Sequence, residues 1–187
     1  MPLLSHSSGV DIGQSAAINY YLAASLGFMG KNPLEGAQIT AISEHLKEMN
    51  QAYRKIIPYG TEPTAEQNDK WFDGGADDAS PAPAARGGER YLKWYMGRIE
   101  YAIGAGGFSV GSSISLADVL IYNTFAEFLS DEQANEGVAQ YRREAFGSKA
   151  RTDKALDAHP KLKAVCTSVA GQPQIQKWLA TRGKQGF

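Results

Sequence analysis

The sequence predicts a mainly α protein that opens with a short ββα unit, and three stretches carry that expectation. The first is Ile114 to Leu129, ISLADVLIYNTFAEFL, whose apolar residues surround a helix instead of keeping to one stripe. Such a pattern belongs to a helix buried on nearly every side. The second runs from Ile39 through Ile42, Leu46, Met49 and Tyr53 to Ile56, alternating three and four residues apart as in a long amphipathic helix. The third is the opening MPLLSHSSGVDIGQS, where Leu3 to Ser5 and Val10 to Ile12 are extended pieces separated by Ser7-Ser8-Gly9. That is the signature of a β-hairpin.

After the hairpin, Ser15 can cap a helix carrying Ala17, Ile18, Tyr21, Leu22 and Leu26 as far as Gly27. Met29 to Pro33 is a polar turn that reads as a linker, so the chain divides into residues 1–28 and 34–187. The seam of the long helix packs either against a neighbouring helix of the same chain or against a second copy. Glu44, Lys47 and Glu48 form a solvated face beside it, with His45 at its edge.

Residues 58–88 turn toward Pro, Gly, Ala and acidic side chains and read as a long surface loop, docked by Trp71-Phe72. Asp77 and Asp78 lack the spacing of a metal site. Helical order resumes from Glu89 to Ile103 and ends at Gly104, Gly106 and Gly107. Trp94 and Tyr101 either line a groove with the long helix or pack in the core.

The central helix then starts at Ser115-Leu116-Ala117-Asp118, a capping box that gives Asp118 a structural role. Ile114 and Val119 are spaced to staple its entry. Ser130 to Lys149 is polar and irregular, and Arg142, Arg143 and Arg151 form a mixed-charge surface with Glu144 and Asp153. Pro160 opens a helix with Leu162, Val165, Cys166 and Val169 on one side; Pro173 interrupts it, and Ile175, Trp178 and Leu179 form a last short helix.

Composition excludes several classes. A net charge of −1 gives no basic excess for nucleic acid, and the apolar runs fall short of the roughly 20 residues of a membrane span. The three histidines are dispersed and the single cysteine, Cys166, has no internal partner, so neither a structural metal nor a disulfide is expected. A reducing compartment, such as the cytoplasm, follows, with Cys166 an apolar core residue.

Three motifs carry a resemblance. GSSISLADVLIY resembles the G-x-x-[ST]-[LIV]-A-D segment that opens the central helix of the C-terminal domain of glutathione transferases. MPLL followed by GQSAAINYYLA is similar to the second half of their thioredoxin-like domain, and HPKLKAVCTSVAGQPQIQKWLATR to their C-terminal pattern. The likeness is nearest to the sigma-like members and covers most of the chain, least at 58–88 and 130–150. It implies a helical C-terminal domain preceded by a partial thioredoxin-like unit, and a detoxifying conjugation of glutathione to small electrophiles.

It further implies that Pro2 is a cis-proline, with Met1 presenting its N–H and C=O to glutathione. Gln14 and Ser15, at a helix start, would take the γ-glutamyl carboxylate, as the free N–H groups and dipole there favour an anion. Simple helix capping is the other reading of this pair. In the family a strand, a helix and a second strand precede the cis-proline and carry the Tyr, Ser or Cys that activates the thiol. Tyr20 and Tyr21 do not match that position, so no residue here is assigned a catalytic role.

Two strands and a helix leave a sheet edge open. That predicts either a fragment of a longer chain or a protein partner over the edge. The family resemblance implies a homodimer through the family's own fourth and fifth helices, the long helix from Ile39 to Ile56 among them. The rival expectation is a non-catalytic scaffold or interaction subunit of a larger assembly.

Overall fold

The computed structural model describes residues 2–74 and 90–185. Strands β1 (Leu3–Ser5) and β2 (Asp11–Gly13) pair antiparallel, with Leu4 opposite Ile12. Gly9 closes the turn at φ 84°, a left-handed value that suits a residue without Cβ, and its N–H reaches the His6 carbonyl. The chain then enters α1 (Ser15–Ser25).

Helix α1 ends in a Schellman arrangement: Gly27 takes φ 81° and Phe28 N–H bonds to the Ala23 carbonyl. The Phe28 carbonyl in turn accepts from Leu116 N–H at 2.9 Å, at the start of the central helix. The opening unit is thereby tied to the helical body. Its outer side stays open, for Leu3, Val10, Leu22 and Leu26 are all exposed.

Asn32 caps α2 (Pro33–Ile56) by accepting from Glu35 N–H, and Pro33 occupies the first helical position, where its missing donor is tolerated. Ile39, Ile42, Leu46, Met49 and Tyr53 are buried against α4 (Leu92–Ala102) and α5 (Leu116–Phe125). The seam is consumed within the chain. This resolves the choice between neighbour and second copy in favour of the neighbour.

Part of the expected 58–88 loop is helical. Helix α3 (Ala65–Asp73) begins with a reciprocal box in which Thr64 N–H donates to Gln67 Oε1 and Gln67 N–H to Thr64 Oγ1. Trp71 and Phe72 are buried, as their position in a docking segment predicts. Asp77 and Asp78 lie outside the described residues. Helix α7 (Lys149–Asp157) was likewise not anticipated; Arg151 on it clamps α3 through Asp69 at 2.8 Å and Asp73 at 2.5 Å.

Between these, α6 (Gln140–Arg143) and a 3-10 turn at Ala145–Gly147 carry Phe146 into the core at φ 52°. Its ring meets Tyr53 at 5.1 Å and Trp71 at 5.5 Å. Helix α8 (Pro160–Ala170) receives its N-terminal cap from another element: Glu100 of α4 accepts from Lys161 and Leu162 N–H at 2.9 and 2.8 Å. A carboxylate there also meets the positive end of the dipole. The last helix, α9 (Pro173–Thr181), half-buries Ile175 but leaves Trp178 exposed.

At the centre, α5 packs against α1, α2, α7 and α8. It stops at Phe125, short of the expected Leu129, so Phe128 lies outside the helix and is exposed. Asp118 is fully buried and accepts from Ser109 N–H at 2.6 Å, Ser115 N–H at 2.8 Å and Ser115 Oγ at 2.5 Å.

Asp118→Ala removes all three bonds and strands two backbone donors, so urea unfolding should show a loss of about 3 kcal/mol with the slope unchanged. His45, between α2 and α4, has its pKa lowered from 6.5 first by burial and then by Arg98, against the opposing pull of Glu48. The folded state therefore prefers the neutral ring, and protonation favours unfolding. Stability should fall as pH drops from 6.5 toward the depressed native value, and His45→Gln should flatten that part of a pH–denaturation profile.

Candidate functional site

The hairpin register places Pro2 one step beyond the Leu3–Gly13 pair, at the end where Gln14 and Ser15 begin α1. Pro2, Gln14 and Ser15 are all exposed and come together there. Met1 and the Met1–Pro2 bond lie outside the described residues. Gln14 stands at φ 70°, a left-handed conformation uncommon outside glycine, and no side chain caps the helix it precedes. The first-turn N–H groups of α1 are therefore presented outward, with the positive end of the helix dipole behind them.

This helix start opens on a cleft of about 580 Å³ walled by α1, α2 and α5. Ser15 and Ala16 form one end. Leu46, Leu116 and Leu120 supply an apolar floor, while Glu44, Lys47, Asn50 and Arg54 line the α2 side. Glu44 and Lys47 belong to the face that the sequence assigns to solvent, and Asn50 and Arg54 continue it along α2. Their three-to-four spacing beside the seam was the available signal, but only the packing of α1 and α5 makes that face a wall.

Tyr20 also lines the cleft, with its hydroxyl donating to Glu44 Oε1 at 3.2 Å. Burial, and then the Glu44 charge, raises its pKa, so the phenol is neutral at physiological pH. Trp94 and Tyr101 do not line this groove. Trp94 is half-buried between Arg90 and Arg98, whose guanidinium carbons lie 4.2 and 5.4 Å from the ring centre, and Tyr101 is exposed elsewhere.

Cys166 is buried on α8, and desolvation pushes its thiol up to about 12. It has no thiolate available for chemistry near neutrality.

The described chain is a ββα opening docked on a helical body, with a helix start that no side chain caps beside a cleft with an apolar floor. The family model for the glutathione S-transferase C-terminal domain matches residues 83–182, just over half of the chain. The chain belongs to the glutathione S-transferase family.

S-crystallin 2 of Octopus vulgaris is 23% identical over 187 residues, spanning all of this chain and 77% of that protein. Glutathione S-transferase 1 of Ascaris suum is 25% identical, spanning all of this chain and 76% of its own length. Among solved structures, the monomeric glutathione S-transferase Na-GST-3 of Necator americanus superposes with a TM-score of 0.70 at 20% identity, covering all of this chain and 76% of that one. The shared fold extends through the ββα opening as well as the helices. No helix among the described residues is long and apolar enough to cross a membrane.

With its thiol held protonated, Cys166 should resist a thiol-reactive aromatic disulfide at pH 8 in the native protein and react fully in denaturant. Absorbance of the released thiolate measures both, and rapid native labelling would contradict the burial.

Proposed function

We propose that this chain binds glutathione at the start of α1 and conjugates its thiolate to an electrophile held in the adjoining cleft. The supporting observation is the α1 terminus: exposed Ser15, left-handed Gln14 and uncapped N–H groups open directly on a cavity. Gln14 and Ser15 receive the γ-glutamyl carboxylate, while Pro2 and Met1 align the tripeptide backbone. Residues 1–28 act as the glutathione-holding part and 34–187 as the helical body.

Conjugation forms a sulfur–carbon bond as the thiolate attacks; a leaving group departs or the adduct takes a proton. The protein's part is to hold the tripeptide and lower the thiol pKa by a hydrogen bond. No described residue is assigned that hydrogen bond, because Tyr20 and Tyr21 do not match the position of the family's thiol-activating residue.

A second reading is a non-catalytic member serving as an interaction subunit. It agrees with relatives named as crystallins, and the exposed Leu3, Val10, Leu22 and Leu26 offer such a subunit a surface for a partner. Homodimerisation, with the α2 seam already buried, would use the remaining faces of α2 and α4. The buried single thiol fits a reducing, cytoplasm-like compartment.

Calorimetry with glutathione, paired with turnover of a chromogenic electrophile, separates these readings. The enzyme reading expects saturable binding, weakened about tenfold by Ser15→Ala, together with turnover. Binding without turnover supports a retained but non-catalytic site. Absence of binding contradicts the assignment of Gln14 and Ser15 and leaves the scaffold.

A further inference from the structure

A second cavity, of about 490 Å³, shares no lining residue with the α1 cleft. It opens between α3, α4 and α7, where Phe72, Lys93, Arg151 and Lys154 line it together with His159 at the entry to α8. Its size falls within the roughly 300–1,000 Å³ of small-molecule sites.

Arg151 forms a fixed platform in this cavity. Its guanidinium donates to Asp69 and Asp73, and its carbon lies 4.7 Å from the centre of the Phe72 ring. The two carboxylates take up its charge and its in-plane donors, while Phe72 covers one face. The other face is left as a flat surface of the kind on which nucleobases stack.

His159 supplies direction. It is only 9% exposed, and its Nδ1 lies 2.8 Å from the Ala155 carbonyl oxygen. A carbonyl oxygen only accepts, so Nδ1 carries a proton and Nε2 of the neutral ring presents a lone pair. Among the described residues nothing donates to Nε2, and the ring lines the cavity. A nine-tenths buried acceptor without a donor is costly, and an N–H from a ligand removes that cost.

Lys154 supplies charge. The nearby carboxylates are already engaged: Asp153 by Lys149, Asp157 by Lys163, and Asp69 and Asp73 by Arg151. Among the described residues Lys154 therefore has no carboxylate partner, and Lys93 adds a second ammonium group to the lining. The cavity thus combines a flat platform, an inward acceptor and a cationic rim.

We propose that this cavity binds a mononucleotide whose base bears an exocyclic amine. The base stacks on the Arg151 guanidinium, the amine donates to His159 Nε2, and the phosphate meets Lys154. A net charge of −1 offers no track for a longer polyanion, so the ligand is a single nucleotide and not a strand. The site is independent of the glutathione reading, since the two cavities have no residue in common.

Calorimetry on the whole chain at pH 8, without glutathione, tests this with three probes. Adenosine 5′-monophosphate should bind saturably. Adenosine, which lacks the phosphate, should bind at least about tenfold more weakly, and purine riboside 5′-monophosphate, which lacks the amine, at least about threefold more weakly.

Lys154→Gln, at an exposed position, should weaken the adenosine nucleotide by about tenfold and change adenosine by less than about twofold. Lys47→Gln, in the α1 cleft, should change neither. His159→Asn keeps a donor for the Ala155 carbonyl and should bring the two nucleotides within about twofold of each other; if it does not fold, the lysine pair decides. Absence of saturable nucleotide binding, equal affinity for adenosine, no loss in Lys154→Gln, the same loss in Lys47→Gln, or undiminished discrimination in folded His159→Asn would overturn the proposal.

Discussion

A single buried carboxylate organises the middle of this protein. Asp118 has no access to solvent and draws its hydrogen bonds from two separate places, Ser109 in the preceding loop and Ser115 at the helix entry. Charge-assisted bonds of this kind are strong because the alternative, an unpaired buried carboxylate, is so costly. They fold the loop back over the first turn of α5 and hold Leu116 where its own N–H can reach the Phe28 carbonyl. Through that contact the position of the ββα opening is set by the same polar knot that starts the central helix.

The functional consequence is geometric. With α5 fixed against α2, and α1 fixed against α5, three helices line a cleft whose end is the start of α1, where no side chain caps the first turn. Orphan N–H groups at such a terminus are tolerable at a surface reached by water, and they become recognition elements when an anion arrives. The left-handed Gln14 keeps the chain turning sharply from β2 into α1, so Ser15 faces the cleft at its outset. Strain at that position is consistent with a site held in readiness.

Much of this was legible in the residues because local rules and the fold agree. Ser115-x-x-Asp118, the spacing from Ile39 to Tyr53, and the proline at 160 each act within one or two helical turns, and each appears where the pattern places it. Helix α3 was hidden by the composition of the segment around it, although Thr64-x-x-Gln67 is itself a capping box. Helix α7 was missed because its charged surface conceals the few buried side chains, Thr152 and Leu156, that anchor it. No local pattern announces that Glu100 will cap a helix some sixty residues later, or that Phe146 will adopt φ 52° to join Tyr53 and Trp71. The site followed the same division. Gln14 and Ser15 stood out through their motif, whereas Glu44 and Arg54 acquire meaning only when distant segments converge.

The central claim is that the open start of α1 is an anion-receiving site continuous with the cleft. The most direct measurement is a set of amide chemical shifts recorded on isotope-labelled protein as glutathione is added. The account predicts saturable shifts concentrated at Ser15, Ala16 and Ala17, with smaller ones along the facing side of α2. Saturable shifts located elsewhere, or none at those three amides, would contradict it.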